Sequence, residues 1–106
     1  MSDTLRRIKR AIELGNYAFS EKAAIEMVAD GVTEHDVATS ILNAADIYKT
    51  IRSRSSNRHH RVEYLHVIVN SASSGVVVYS KGKLTKASGV ELYYFLISSK
   101  RAESKS

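Results

Sequence analysis

Tyr17-Ala18-Phe19-Ser20-Glu21-Lys22-Ala23 opens a stretch that runs through Glu26-Met27, Asp30-Gly31-Val32-Thr33 and Asp36-Val37 to Asp46-Ile47-Tyr48-Lys49 and Ile51. Ser20 is an N-cap residue, because its hydroxyl can accept a first-turn amide. The spacing predicts a helix from there to about Ala29, with Ala23, Ala24, Met27 and Val28 as its buried stripe. Gly31 ends it, since glycine enters the left-handed conformation without a steric penalty. Thr33 caps a second helix, and Asp36 three residues later completes a short capping box. Val37, Ile41 and Leu42 are its core positions. Two capped helices joined by a Gly-Val link make an αα-hairpin. After Asn43 the period changes, and Asp46 to Ile51 reads as a strand.

Upstream of this stretch, Asp3 or Thr4 can cap a first helix whose Leu5, Ile8, Ala11 and Ile12 share one face. Gly15 sits where that helix should stop, and Tyr17 to Phe19 form a short extended link. Downstream, Arg52 to Arg61 holds four arginines and no acid, and reads as a basic loop. Val62 to Val69 is a strand, with Leu65, Val67 and Val69 on one face and Tyr64, His66 and Ile68 on the other. Asn70 to Gly75 is a hairpin loop by composition, and Val76 to Tyr79 is the return strand. Lys81-Gly82-Lys83 reads as a turn, Leu84 to Ala87 as a short strand, and Ser88-Gly89 as another turn. Val90 to Ile97 is nearly all apolar, which points to a central strand buried on both faces. Ser98 to Ser106 is polar, and a frayed tail is expected from about residue 99. Helices followed by a meander of strands give an α+β fold: N-terminal helices packed on one face of an antiparallel sheet, in a single domain spanning 1–106.

The totals exclude several functions. Without cysteine there is no disulfide, no thiolate metal site and no cysteine nucleophile, as suits a reducing cytoplasm. The first residues lack the apolar core of a signal peptide, and no apolar run approaches the roughly 18 residues of a membrane span. The four histidines have no carboxylate cluster beside them, so no metal and no cofactor is expected. His66, on a strand face, reads as a hydrogen-bonded structural histidine. There is no Gly-x-Ser-x-Gly elbow and no phosphate loop, and Glu63 and Glu91 are nearly alone in the strand half.

The net charge is +5, and it is unevenly spread. Residues 1–49 carry 6 Lys and Arg against 8 Asp and Glu, and residues 50–106 carry 10 against 3. A basic strand half points to an anionic partner, although a merely solubilising surface has the same balance. RNA cleavage by the ribose 2′-hydroxyl suits these residues. It needs a proton acceptor, cations for the phosphate and a proton donor for the leaving oxygen, and it needs no metal. Arg52, Arg54, Arg58 and Arg61 can grip phosphates. Tyr64 and Tyr79 offer phenolic protons or stacking platforms, and Tyr79 and Lys81 would point the same way on one strand.

The segment from Phe19 to Val37 resembles a small bacterial domain family of unassigned function with the pattern F-S-x-H-A-x-x-R-M-x-x-R-G-[IV]-[ST]-x-x-D-[VI]. Tyr64 to Val69 and Val76 to Tyr79 resemble that family's later strands. Lys22 stands where the family has histidine, and Glu26 and Asp30 stand where it has arginine. That family in turn resembles the RelE and MqsR toxins, whose fold also includes barnase. Asp46-Ile47-Tyr48-Lys49 is similar to a stretch of MqsR whose lysine is implicated in mRNA cleavage, and this resemblance implies that role for Lys49. It also implies a toxin–antitoxin pair, with mRNA, free or ribosome-bound, as substrate and a cognate antitoxin as protein partner. The expected catalytic set is Lys49, Arg61, Tyr79 and Lys81. Arg52, Arg54, Arg58 and Lys83 are expected to bind phosphate, and Lys22 is a candidate general acid or phosphate clamp. The alternative is a non-catalytic RNA-binding or antitoxin-binding module that kept the fold.

Overall fold

The structure, a computed structural model, describes residues 2–54, 62–87 and 89–102, the side chains at 54, 87 and 91 excepted. The described residues form helices α1 (Asp3–Glu13), α2 (Glu21–Asp30) and α3 (Glu34–Leu42) and strands β1 (Tyr17–Phe19), β2 (Lys49–Arg54), β3 (Val62–Ser71), β4 (Val77–Ala87) and β5 (Val90–Arg101). The strand order across the sheet is β1-β5-β4-β3-β2. The pairs β2–β3, β3–β4 and β4–β5 are antiparallel, whereas β1 runs parallel to β5. This is an α+β fold with a mixed, mostly antiparallel sheet. No helix among the described residues is long and apolar enough to cross a membrane.

Each helix begins on a side-chain cap. Ser20 accepts from the Ala23 amide at 3.0 Å. At α3 the capping box is complete, with Asp36 N donating to Thr33 Oγ1 and Thr33 N to Asp36 Oδ2, both at 3.0 Å. Ser2 caps α1, accepting from the Leu5 amide, so that helix starts one residue earlier than a cap at Asp3 would allow. Gly31 ends α2 in the left-handed conformation, with φ 68. Leu5, Ile8, Ala11 and Ile12 of α1, Met27 of α2 and Val37 and Ile41 of α3 join Ile68, Val78, Tyr94 and Leu96 in one apolar core. That core lies between the helices and a single face of the sheet. The β3–β4 loop is tied to α3, since Ser74 Oγ donates to Asp36 Oδ1 at 2.7 Å and Asn70 Nδ2 to the Ser40 carbonyl at 3.1 Å.

Several sequence expectations are corrected. Tyr17 to Phe19 is an edge strand rather than a link, with Tyr17 opposite Tyr94 and Phe19 opposite Leu96. Its three residues are too few to show a period, and only β5 defines it. In α2, Ala23 and Met27 are buried, but Ala24 is exposed and Val28 is 84% exposed. The helix is turned so that Glu26 faces β5, where its Oε1 accepts from Ser98 Oγ at 2.7 Å and Ser99 N at 3.1 Å. β2 begins at Lys49 and extends to Arg54, into the segment read as loop. Lys81-Gly82-Lys83 is not a turn, because β4 runs through it. A Cβ on Gly82 would stand 2.7 Å from Tyr94 Cζ, so the glycine is there to admit the buried tyrosine ring. β5 is the expected interior strand, between β1 and β4, but it is not buried on both faces, since Tyr94 and Leu96 are buried and Tyr93, Phe95 and Ile97 only half-buried. It continues to Arg101, past the expected start of a tail, and both Ser98 and Ser99 are buried in it.

Candidate nucleic-acid interface

Strand alternation decides which side chains meet. Ile68 of β3 and Val78 of β4 point into the helix-side core. Residues of the other parity therefore face away from the helices. Lys49 is opposite Val67, which is opposite Lys81, and Val69 is opposite Tyr79, which is opposite Lys100. Lys49, Tyr79 and Lys81 thus stand on one open face of the sheet, and Lys100 joins them. Lys100 Nζ lies 5.4 Å from the centroid of the Tyr79 ring, within cation–π range.

Val67 is fully buried, yet it does not belong to the helix-side core. It sits between Lys49 and Lys81 in a row across the strands, and the aliphatic stems of long cationic side chains cover such a residue while their heads stay in water. Beside this row is a hollow of about 670 Å³ lined by Tyr48, Lys49, Val69, Tyr79, Lys100 and Arg101. Such a volume falls within the roughly 300–1,000 Å³ typical of small-ligand sites. Tyr48 is 68% exposed at its rim. Every ionisable side chain lining the hollow is a lysine, an arginine or a tyrosine. Arg101 is held in place by α2, its amide donating to Asp30 Oδ2 at 3.0 Å.

The remaining residues singled out by the sequence lie elsewhere. Lys83 Nζ is 2.7 Å from Glu63 Oε2, so its charge is already paired. Arg52 is opposite Tyr64, on the parity of Thr50 and His66 and hence on the other face from Lys49. Arg54 closes β2, and its side chain lies outside the described residues, as do Arg58 and Arg61 altogether. Lys22 is exposed on α2 and pairs with Glu26 at 3.4 Å, away from the open face. Among the described residues no group of three or more His, Asp or Glu is placed to hold a metal ion.

Sequence reasoning missed Tyr48 and Lys100. Tyr48 precedes the strand proper, and Lys100 lay in the segment read as a tail. The nearly unbroken apolar run from Val90 to Ile97 carried no sign that β5 would continue through polar residues. His66 is buried, and its Nδ1 is 3.1 Å from Thr50 Oγ1, as its reading as a hydrogen-bonded histidine expects. Burial holds its pKa below the usual imidazole value, so the ring is neutral at pH 7. The chain matches none of the protein-family models, curated proteins or solved structures with which it was compared.

Proposed function

We propose that the open sheet face binds RNA and that the chain is a metal-independent endoribonuclease, the toxin of a toxin–antitoxin pair with a RelE/MqsR-type fold. One observation carries the reading: Lys49 of β2, Tyr79 and Lys81 of β4 and Lys100 of β5 share one open face, and no carboxylate lines the hollow beside them. Ammonium groups so placed hold phosphates, and the affinity they give falls steeply with salt as counterions are retained on the nucleic acid. Tyr48 offers an exposed ring on which an unpaired base stacks. The Tyr79 phenol, next to Lys100, is a proton donor for a leaving 5′ oxygen. Such an enzyme works in the cytoplasm and is held in check by a cognate antitoxin.

A second reading, RNA binding without cleavage, is favoured by a specific feature of the hollow. Its lining has donors in abundance but neither carboxylate nor imidazole to take the 2′ proton. Incubating purified protein with a single-stranded RNA oligonucleotide in excess chelator separates the two. Cleavage that survives the chelator and drops with Tyr79→Phe supports the enzyme. Tight, salt-sensitive binding that leaves the RNA intact supports the binding module. If Lys49→Ala and Lys81→Ala leave RNA affinity at the wild-type level, both readings of this face fail.

A further inference from the structure

The sheet contains a fork. The β3–β4 register runs from Ser71–Val77 to His66–Gly82 and goes no further, while β4 stays paired with β5 out to Ala87 and β3 stays with β2 down to Val62. In the β4–β5 ladder the register shifts at the same place, Lys81 facing Ser98 and Gly82 facing Leu96, so β5 carries Ile97 as an extra, bulged residue where the two ladders part. The two arms enclose a cleft of about 560 Å³, which the N-terminal turns of α1 close from the helix side. Because the cleft is a gap in the sheet, residues of both faces reach it. Arg7 comes from α1, Thr50 from β2, Glu63, Tyr64 and His66 from β3, and Lys83 from β4.

These groups differ from those of the hollow in one respect: a proton acceptor is present. His66 is anchored through Nδ1 to Thr50 Oγ1, and Nε2 has no partner among the described residues. Arg7 is exposed, with no carboxylate paired to it among the described residues. Tyr64, 54% exposed, presents a ring at the mouth. The Lys83–Glu63 pair bridges the two arms. Tyr79, Lys81 and Lys83 alternate along β4, so the cationic row of the open face leads directly into the fork.

We propose that this fork is the reaction centre for RNA held on the open face, taking one ribonucleotide with its 2′-hydroxyl against His66 Nε2, its phosphodiester against the Arg7 guanidinium and its base against the Tyr64 ring. The assignment rests on the RNA reading above and supplies the acceptor that the hollow lacks. The step uses the tautomer in which Nδ1–H donates to Thr50 Oγ1 and Nε2 carries the free lone pair. Nε2 takes the 2′-hydroxyl proton as the 2′ oxygen bonds to phosphorus. The bond from phosphorus to the 5′ oxygen breaks, and that oxygen takes a proton from Lys83 Nζ, which at the fork replaces the Tyr79 phenol as donor and leaves Tyr79 to hold the RNA on the open face. The products are a 2′,3′-cyclic phosphate and a 5′-hydroxyl, and proton exchange with solvent returns His66 and Lys83 to their starting states. No water is consumed and no metal takes part.

The test uses the full chain, a single-stranded RNA oligonucleotide in chelator, and uridine 3′-monophosphate as the binding probe. His66→Gln is expected to lower the cleavage rate about 100-fold or more, in line with loss of a general base, while RNA affinity stays within about twofold. Arg7→Ala, on an exposed helix surface, should also slow cleavage without unfolding the protein, and it covers the case in which the His66 variant fails to fold. The wild-type rate should fall as pH drops and the ring becomes protonated; Arg7, Glu63, Tyr64 and Lys83 are the charged and titratable groups facing that ring. Imidazole resonances of His66 should shift on titration with the nucleotide. Wild-type cleavage by both variants, or imidazole resonances indifferent to the nucleotide, would overturn the fork assignment and leave the RNA reading of the open face standing. A wild-type chain that binds RNA but never cuts it would overturn this assignment together with the endoribonuclease reading.

Discussion

Gly82 is the position where one added methyl group has the clearest consequence. A Cβ there would lie 2.7 Å from Tyr94 Cζ and 2.9 Å from the Phe95 carbonyl oxygen, and Tyr94 is fully buried, so neither neighbour can move aside cheaply. Gly82→Ala should therefore cost about 1–3 kcal/mol, as overpacking in a core does, read as a lower urea midpoint. Burial of the Tyr94 hydroxyl pushes its pKa up, so that ring stays a phenol throughout the ordinary pH range. The tripeptide around Gly82 was misread from sequence for a physical reason. Glycine between lysines has the composition of a turn, and the requirement it meets here comes from a ring twelve residues away in the chain. Tyr79 and Lys81, by contrast, were legible as neighbours on one side, because alternation along a strand points them the same way, whereas Lys49 rested on the resemblance of Asp46 to Lys49 alone. Lys49→Ala should weaken RNA binding and lower the slope of log affinity against log salt by about one, measured by titration at several salt concentrations.

At the level of elements, the capping residues were the most readable part of the sequence, since they act within three residues of themselves. Thr33→Ala should cost about 1 kcal/mol of unfolding free energy. Asp36 ties the same cap to the β3–β4 loop. The hydrogen bond from the Thr33 amide, then that from Ser74, holds its pKa below the ordinary carboxylate value despite its burial. At Glu26 burial acts upward, but the hydrogen bonds from Ser98, Ser99 and Lys22 outweigh it and the net shift is also downward. A carboxylate with a depressed folded pKa contributes stability above its unfolded value and loses it as pH falls. Stability should therefore be flat near neutrality from these two groups and decline below about pH 4 to 4.5. Ser74→Ala should make that decline shallower, as seen in acid titrations followed by circular dichroism. The rotation of α2 was not legible, because Ala23, Ala24, Met27 and Val28 make a plausible stripe and only the polar contacts of Glu26 with β5 decide which flank goes inward. Met27→Ala should cost about 2–5 kcal/mol, whereas Val28→Lys should change stability by less than about 0.5 kcal/mol.

On the scale of the whole molecule, the charge split between residues 1–49 and 50–106 maps onto the open face only in part. Lys49 comes from the acidic half, and Lys83 of the basic half is neutralised by Glu63. The class of the fold was readable because helices precede strands, but the fork was not, since it depends on where two ladders separate. The parallel pairing of β1 was equally hidden. That pairing has a consequence for the order of events during synthesis. Ser20, at the end of β1, donates through its hydroxyl to the Ile97 carbonyl, 77 residues further along the chain, and its amide donates to the Leu96 carbonyl. A growing polypeptide therefore has no lodging for β1 until β5 has left the ribosome. Tyr17 to Phe19 stay unpaired until then, and the arrival of β5 joins segments made far apart in time into one cooperative unit.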